Sequence, residues 1–370
     1  MDLTWELVER SQGVYDFAPW DALVNALEER ELSALLILDY FNPIYCETPM
    51  CGSHTGPTTP EQRQAFAEFA AAAAARFGDR DVMLEVWNEP NHSGFWGPQP
   101  DPVAYARLAA EALGAIRAAN DAVPVAVGAT AGIDVWFLDD ALAAGGLESA
   151  DLVSVHPYRE PGPETIREDL ALAAEIIADR TGRDDIPLIS GEWGYTSTQW
   201  GGLTDAALHR QGVFAARELL SVLANGLPLA IWYDLSNDCG DPEEWECNFG
   251  LLREDGATPK PAWLAVKALT DTVPDEPVEA RLCGRPPAVY CLSFSGSTRA
   301  VAALWTGQEG ADVLVHLPED LEVEVSDLYG DAVALPAQGP PRFTLRERDG
   351  PVYVSTPLRH RRPDPWRLSP

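Results

Sequence analysis

Lysine is almost absent from this sequence. Of 26 basic residues only Lys260 and Lys267 are lysines, against 58 acidic residues. The formal charge of −32 excludes a surface built for phosphate backbones, which needs clustered Lys and Arg. It equally excludes a face for anionic membranes. No uninterrupted apolar run reaches the ~18 residues of a membrane-spanning helix. The start, Met1-Asp2-Leu3-Thr4-Trp5-Glu6, has neither the basic opening nor the apolar stretch of a signal peptide. No Gly-rich phosphate loop follows an early strand, which weighs against a nucleotide-binding doubly wound sheet. An acidic, Lys-poor surface suits solubility in high salt, and a GC-rich genome that favours Arg over Lys accounts for it equally well.

What is present is globular: 370 residues, 46 % apolar and 23 % charged. The six cysteines fall into three close pairs, Cys46/Cys51, Cys239/Cys247 and Cys283/Cys291. Local disulfides and hence export are the expectation. Zinc, with His54 near Cys51, and free buried thiols are the alternatives; the lack of any Cys-x-x-Cys weighs against zinc. The acidic loop over 238–246 lacks the twelve-residue calcium pattern and reads as solvated.

Short, nearly all-apolar runs alternate with longer helical segments. Leu3–Glu9, Ala34–Tyr40, Val82–Asn88, Val123–Gly128, Leu152–His156, Ile186–Glu192 and Leu229–Tyr233 read as seven strands covered on both faces. Between and after them, Trp20–Arg30, Pro60–Phe77 (with Thr59 as N-cap), Pro102–Asn120, Pro163–Thr181, Thr204–Asn225 and Pro259–Leu269 read as helices. That alternation means βαβ units and a parallel sheet, one strand short of a closed eight-stranded barrel. After Asp271–Pro277 the pattern changes to short alternating strands with Gly, Pro, Asp and Ser turns, as in a small antiparallel sandwich. The expected organisation is a barrel domain over 1–272, a β-sandwich over 273–357 and a disordered tail over 358–370.

Two strand ends carry chemistry. Val82–Asn88 runs into Glu89-Pro90-Asn91, and Ile186–Gly191 runs into Glu192-Trp193-Gly194. In parallel barrels the C-terminal strand ends form the active face. The two glutamates lie 103 residues apart, three βα units of about 34 residues each. Two carboxylates aimed into one cleft repel, so one holds its proton while the other is ionised, the arrangement used to cleave glycosidic bonds. The bland reading, two lone structural glutamates, fits less well with equivalent strand-end positions that both have a flanking Trp.

With these motifs the sequence resembles the clan A glycoside hydrolases, retaining (β/α)8 enzymes, most of all family 39 and related bacterial endoglycosidase-like and cellulase-like proteins. Trp87-Asn88-Glu89-Pro90 is similar to the clan's acid/base motif, and Gly191-Glu192-Trp193-Gly194 to its nucleophile segment. Trp5, Val8-Glu9, Gly13–Phe17 and Trp20-Asp21 resemble the second strand and the stretch after it; Leu38–Tyr40, Asn42-Pro43 and Tyr45 resemble the end of the third. The likeness spans about residues 3–270. It implies that the α/β fold is a (β/α)8 TIM barrel lacking its first βα unit, that Met1 is an internal methionine, and that the chain starts upstream. A restored leader would reconcile three cysteine pairs with the missing signal peptide, giving a secreted protein; a true start at Met1 would give a cytoplasmic one.

The resemblance assigns Glu89 as acid/base and Glu192 as nucleophile. Asn88 would bond the sugar 2-hydroxyl, and His156, Tyr158, Trp232, Trp96 and Trp193 would bind substrate. Phe95, Tyr195 and Trp200 extend the aromatic set. No metal or other cofactor is implied. The expected partner is an oligo- or polysaccharide. A non-catalytic carbohydrate-binding protein on a barrel remnant is the alternative, and a metal-dependent barrel hydrolase is weaker still for want of a His-x-His at a strand end.

Overall fold

The computed structural model describes residues 1–46, 51–52, 54–160, 162–274, 279–284, 286–310, 312–317 and 322–357. The tail expected to be disordered, 358–370, lies outside the described residues. Contacts divide the chain into two compact units. One comprises Met1–Pro157 and Arg167–Gly191, the other Tyr158–Ile166 and Glu192–Pro370.

In the first unit β1 (Asp2–Thr4) leads into α1 (Trp5–Val8) and α2 (Ala18–Glu28). Then come β2 (Ala34–Asp39), α3 (Pro60–Phe77), β3 (Val82–Val86), α4 (Pro102–Ala119), β4 (Val125–Ala131), α5 (Val135–Ala143) and β5 (Leu152–His156). α6 (Ile166–Thr181) follows, and β6 (Leu188–Trp193) carries the chain into the second unit. Neighbouring strands pair in parallel, with Leu38 beside Val86 and Ser154 beside Ile189. Leu36, Leu38, Leu84, Val86, Val155 and Ile189 are fully buried, as helix-covered strands require.

Thr59 caps α3 as expected. Its hydroxyl accepts from Gln62 N, and the Gln62 side chain accepts in return from Thr59 N, a reciprocal cap of about 1 kcal/mol. The expected strand over Leu3–Glu9 is instead three strand residues and a helical turn. The cause is Glu9, fully buried: its carboxylate accepts from Trp5 Nε1, Gly13 N and Tyr45 Oη, each at 2.6 Å. Asn42 Nδ2 donates to the Glu9 carbonyl at 2.7 Å. A buried carboxylate needs such donors, and a turn gathers them where an extended strand would not. α5 was not foreseen. Its nine residues bury Phe137, Leu138, Ala141 and Leu142 over little more than two turns, too short a stripe to stand out, and Trp136 remains 80 % exposed.

In the second unit come the end of β6, α7 (Asp205–Ala224), β7 (Ala230–Trp232) and α8 (Pro261–Thr272). β7 is the last of seven strands that follow one another in sequence order, giving the parallel α/β sheet expected from the seven apolar runs. Antiparallel strands follow: β8 (Glu279–Leu282), β9 (Tyr290–Ser295), β10 (Arg299–Trp305), β11 (Asp312–His316), β12 (Glu324–Ser326), β13 (Arg342–Arg346) and β14 (Val352–Pro357). They form a five-stranded sheet, β12-β14-β10-β9-β8, and a two-stranded one, β11-β13.

The period of two along β10 decides what each face covers. Ala302 and Leu304 pack with Val315, Phe343 and Leu345 of the smaller sheet. Val301, Ala303 and Trp305 pack with Leu220 of α7 and Leu269 of α8. All three cysteine pairs close as disulfides, so the zinc and free-thiol alternatives fall. Among the described residues no helix is long and apolar enough to cross a membrane.

Candidate active site

Three of the candidate residues come together in the first unit. Beyond β3 the backbone leaves extended geometry: Trp87 has φ 68° and Glu89 φ 45°, a left-handed conformation that costs bulky residues about 1–3 kcal/mol each. Neighbouring strands hold this turn. Trp87 N donates to Leu38 O at 3.1 Å and Glu89 N to Ala129 O at 2.9 Å. Asn91 pins the next residues, donating to Ala131 O and Asp134 Oδ2 while Ala131 N donates to its Oδ1.

The Glu89 side chain is 12 % exposed, and its Oε1 lies 3.1 Å from Nδ1 of His156 at the end of β5. Asn88 Nδ2 donates to Tyr40 Oη at 2.8 Å. Asn88 Oδ1 has no hydrogen-bond partner in the protein, which leaves an acceptor for a ligand hydroxyl. Tyr40 stacks on Phe95 with ring centroids 5.9 Å apart and packs against His54.

Behind these groups lies a cluster of buried polar side chains, Glu85, Ser154 and His156. Glu85 is fully buried, and its Oε1 is 3.8 Å from His156 Nε2. Gly191 closes on the same place: a Cβ there would meet Ser154 Oγ at 2.2 Å and Glu85 Oε2 at 2.9 Å. No side chain larger than hydrogen fits one residue before Glu192. Asp39, also fully buried, holds its proton well above the usual carboxylate range because burial penalises the charge and Asp2 adds repulsion.

Glu192, Tyr158, Trp193 and Trp232 belong to the second unit. Tyr158 Oη donates to Glu192 Oε1 at 2.7 Å. Tyr233 N donates to Trp193 O at 2.8 Å, and a Cβ on Gly194 would stand 1.9 Å from Tyr233 O, so this strand end also needs glycine. Trp232 is half-buried, with its indole N–H on Phe249 O at 3.2 Å. Asp234 is pushed up to about 7 by burial, with the charge of Asp238 adding to it. Lys260 is buried and pushed down to about 7; its Nζ donates to Asn237 Oδ1 and Asn248 O.

Trp96 and Trp193 are 1 % and 0 % exposed. Trp96 packs on Trp87 and Tyr105, Trp193 near Tyr195. Neither offers the open ring face that sugar stacking expects of it. Tyr40 and Glu85 were missed. Glu85 left one signal, a carboxylate in the middle of an otherwise apolar strand; Tyr40 left none beyond its place at a strand end. Among the described residues, neither unit taken alone gathers three His, Cys, Asp or Glu groups into reach of one metal ion.

The sequence model of the cellulase family, glycosyl hydrolase family 5, matches residues 8–237. No curated protein matches. Among solved structures, a family 39 glycoside hydrolase from the gut symbiont Bacteroides cellulosilyticus WH2 is similar over 96 % of this chain and 74 % of its own, at 25 % identity and TM-score 0.79. A monomeric β-xylosidase from Caulobacter crescentus CB15 is similar over 93 % and 85 %, at 19 % identity and TM-score 0.66. A family 30 endoxylanase from Clostridium papyrosolvens C71 is similar over 92 % and 84 %, at 13 % identity and TM-score 0.63. At these lower identities the last two likenesses are of fold.

Proposed function

The chain belongs to the cellulase family, glycosyl hydrolase family 5, and from that premise we propose that it is a retaining glycosidase with Glu89 as acid/base and Glu192 as nucleophile. Glycoside hydrolysis, a carbohydrate substrate and the clan A kinship follow from the family and its structural neighbours. The residue roles and the double displacement are the proposal. The observation that carries it is a glutamate at the C-terminal end of β3 and another at the end of β6, each with one carboxylate oxygen held by a neighbouring side chain.

In the first step Glu192 attacks the anomeric carbon while Glu89 gives its proton to the departing glycosidic oxygen. In the second, Glu89 takes a proton from water, whose oxygen displaces Glu192 from the sugar. His156 orients Glu89 through Nδ1. Tyr158 donates to Glu192 and favours its ionised form. Asn88 Oδ1 accepts from the sugar 2-hydroxyl, a bond that strengthens as oxocarbenium character develops. Trp232 floors the reactive subsite. The catalytic domain spans 1–272, with 273–357 as a β accessory domain.

The test is a panel of aryl glycosides, with β-xylosides included because two of the similar structures are named β-xylosidases. Glu192→Gln abolishes turnover. Glu89→Gln slows substrates with poor leaving groups far more than activated aryl ones. The first-formed sugar, followed by NMR, keeps its anomeric configuration, as two successive displacements at one carbon require. An inverted product overturns the double displacement, and full activity of either variant on a natural glycoside overturns that residue's role.

A further inference from the structure

Residues 158–166 leave β5, which belongs to the first unit, yet they pack with the second. Glu164 is the reason. Its carboxylate accepts from Arg217 Nε at 2.7 Å and Nη2 at 2.9 Å. Its Oε1 also accepts from the indole N–H of Trp305, on β10, at 2.6 Å. Arg217 Nη1 donates in turn to Glu347 Oε1 at 2.7 Å. These side chains are 2 %, 5 % and 6 % exposed for Arg217, Glu164 and Glu347, and Glu347 Oε2 also accepts from Arg210 Nη1, so two carboxylates face two guanidiniums in a largely dry cluster.

The loop is moulded onto this cluster. A Cβ on Gly162 would stand 2.6 Å from Glu164 Oε2 and 2.7 Å from Arg217 Nη2. Thr165, next to Glu164, accepts at Oγ1 from Arg159 Nη1 at 3.1 Å. Arg159 follows Tyr158, whose hydroxyl donates to Glu192. A continuous set of bonds therefore runs from the C-terminal β strands through α7 to the group that touches Glu192.

We propose that Glu164, gripped by Arg217 and Trp305, is the positioning residue for Tyr158, so that the C-terminal β strands set how the nucleophile is held. The proposal rests on the reading of Glu192 as nucleophile. A buried ion pair is by itself weak evidence for stability; fixing one loop conformation is what a bidentate Arg fork does well. Losing the alignment of one hydrogen bond to a charged group is worth about tenfold in rate.

The experiment uses the full chain and the variants Glu164→Gln, Trp305→Phe, Tyr158→Phe and Glu164→Gln/Tyr158→Phe, with kcat and KM measured on an aryl glycoside at 25 °C and Tm recorded separately. Glu164→Gln turns a carboxylate oxygen into an amide that faces a donor. Trp305→Phe removes one N–H and keeps a ring. Both lower kcat, Glu164→Gln by about tenfold, with KM within about twofold. The double variant is no slower than Tyr158→Phe alone, because both changes undo the same contact. Loss of Tm with wild-type kcat in both single variants, or independent multiplication of the two effects, overturns the proposal. Glu192→Gln runs alongside. Turnover by that variant sinks the nucleophile reading and this proposal with it; if it is inactive, the other arms judge Glu164 on its own.

Discussion

Replacing Arg217 by methionine keeps the length of the side chain and deletes its charge. Burial works against that charge, and the hydrogen bonds and charges of Glu164 and Glu347 more than offset it, so the guanidinium sits above its ordinary pKa. Take it away, and among the described residues Glu164 keeps the Trp305 indole as its donor, while Glu347 keeps Arg210. Breaking a buried pair by removing one partner costs about 3–5 kcal/mol. The second unit holds about 190 residues, and at about 2.1 cal/mol/K per residue its melting entropy is about 0.4 kcal/mol/K. Arg217→Met should therefore lower Tm by about 8–12 °C, read by calorimetry at pH 7.

Two further measurements separate a stranded charge from a lost packing contact. A carboxylate left buried without its cation takes up a proton more readily than one in water, so the deficit shrinks as pH falls from 7 toward 5. Adding Glu164→Gln to Arg217→Met removes the stranded charge and returns a large part of the Tm. A loss below about 3 °C, roughly 1 kcal/mol, or a deficit indifferent to pH and to Glu164→Gln, would refute the argument.

Other outcomes follow from the same geometry. Gly191→Ala should cost about 1–3 kcal/mol and much of the activity, because the new methyl meets Ser154 Oγ and Glu85; Ser154→Ala in the same chain restores part of both, and a silent Gly191→Ala would show that β6 has room to move. Lys260 titrates near 7 when folded against 10.5 when free, so the unfolded chain binds the extra proton between those values. Unfolding free energy of the wild type relative to Lys260→Met should therefore climb by about 1.4 kcal/mol per pH unit through that window, checked by urea titrations at pH 7 to 10. Asn88→Ala should lose far more on substrates with a 2-hydroxyl than on 2-deoxy analogues, since its Oδ1 has no protein partner to serve; an equal loss on both would assign it to packing against Tyr40.

The parallel sheet was legible because helix-covered strands read as apolar runs, and a polar residue closing such a run stands out. Glu89 and Glu192 stood out in that way, and Pro60–Phe77 was bounded by the Thr59 cap and the apolar spacing. α5 was not legible, because its stripe of Phe137, Leu138, Ala141 and Leu142 spans little more than two turns. Nor was the start of the chain, where Glu9 draws donors from Trp5, Gly13 and Tyr45 and bends what the apolar pattern makes a strand. The Arg217 cluster was beyond reach for a plainer reason. It joins positions 53 and 130 residues away, and no local pattern marks an arginine on a helix as buried. The burial of Trp96 and Trp193 was equally hidden: a tryptophan beside a strand-end glutamate looks the same in sequence whether its ring is open or enclosed by neighbours such as Trp87 and Tyr195.

The route of the backbone has a practical corollary. It passes from one compact unit to the other after Pro157, returns after Ile166 and passes over again after Gly191. A single protease cut cannot release either body whole, and gene fragments ending near residue 272 would strip Glu164 of its indole partner while leaving the arginine in place. Domain-swapping and split-protein designs on this scaffold should treat the nine-residue excursion as the hinge pin that must travel with the C-terminal half.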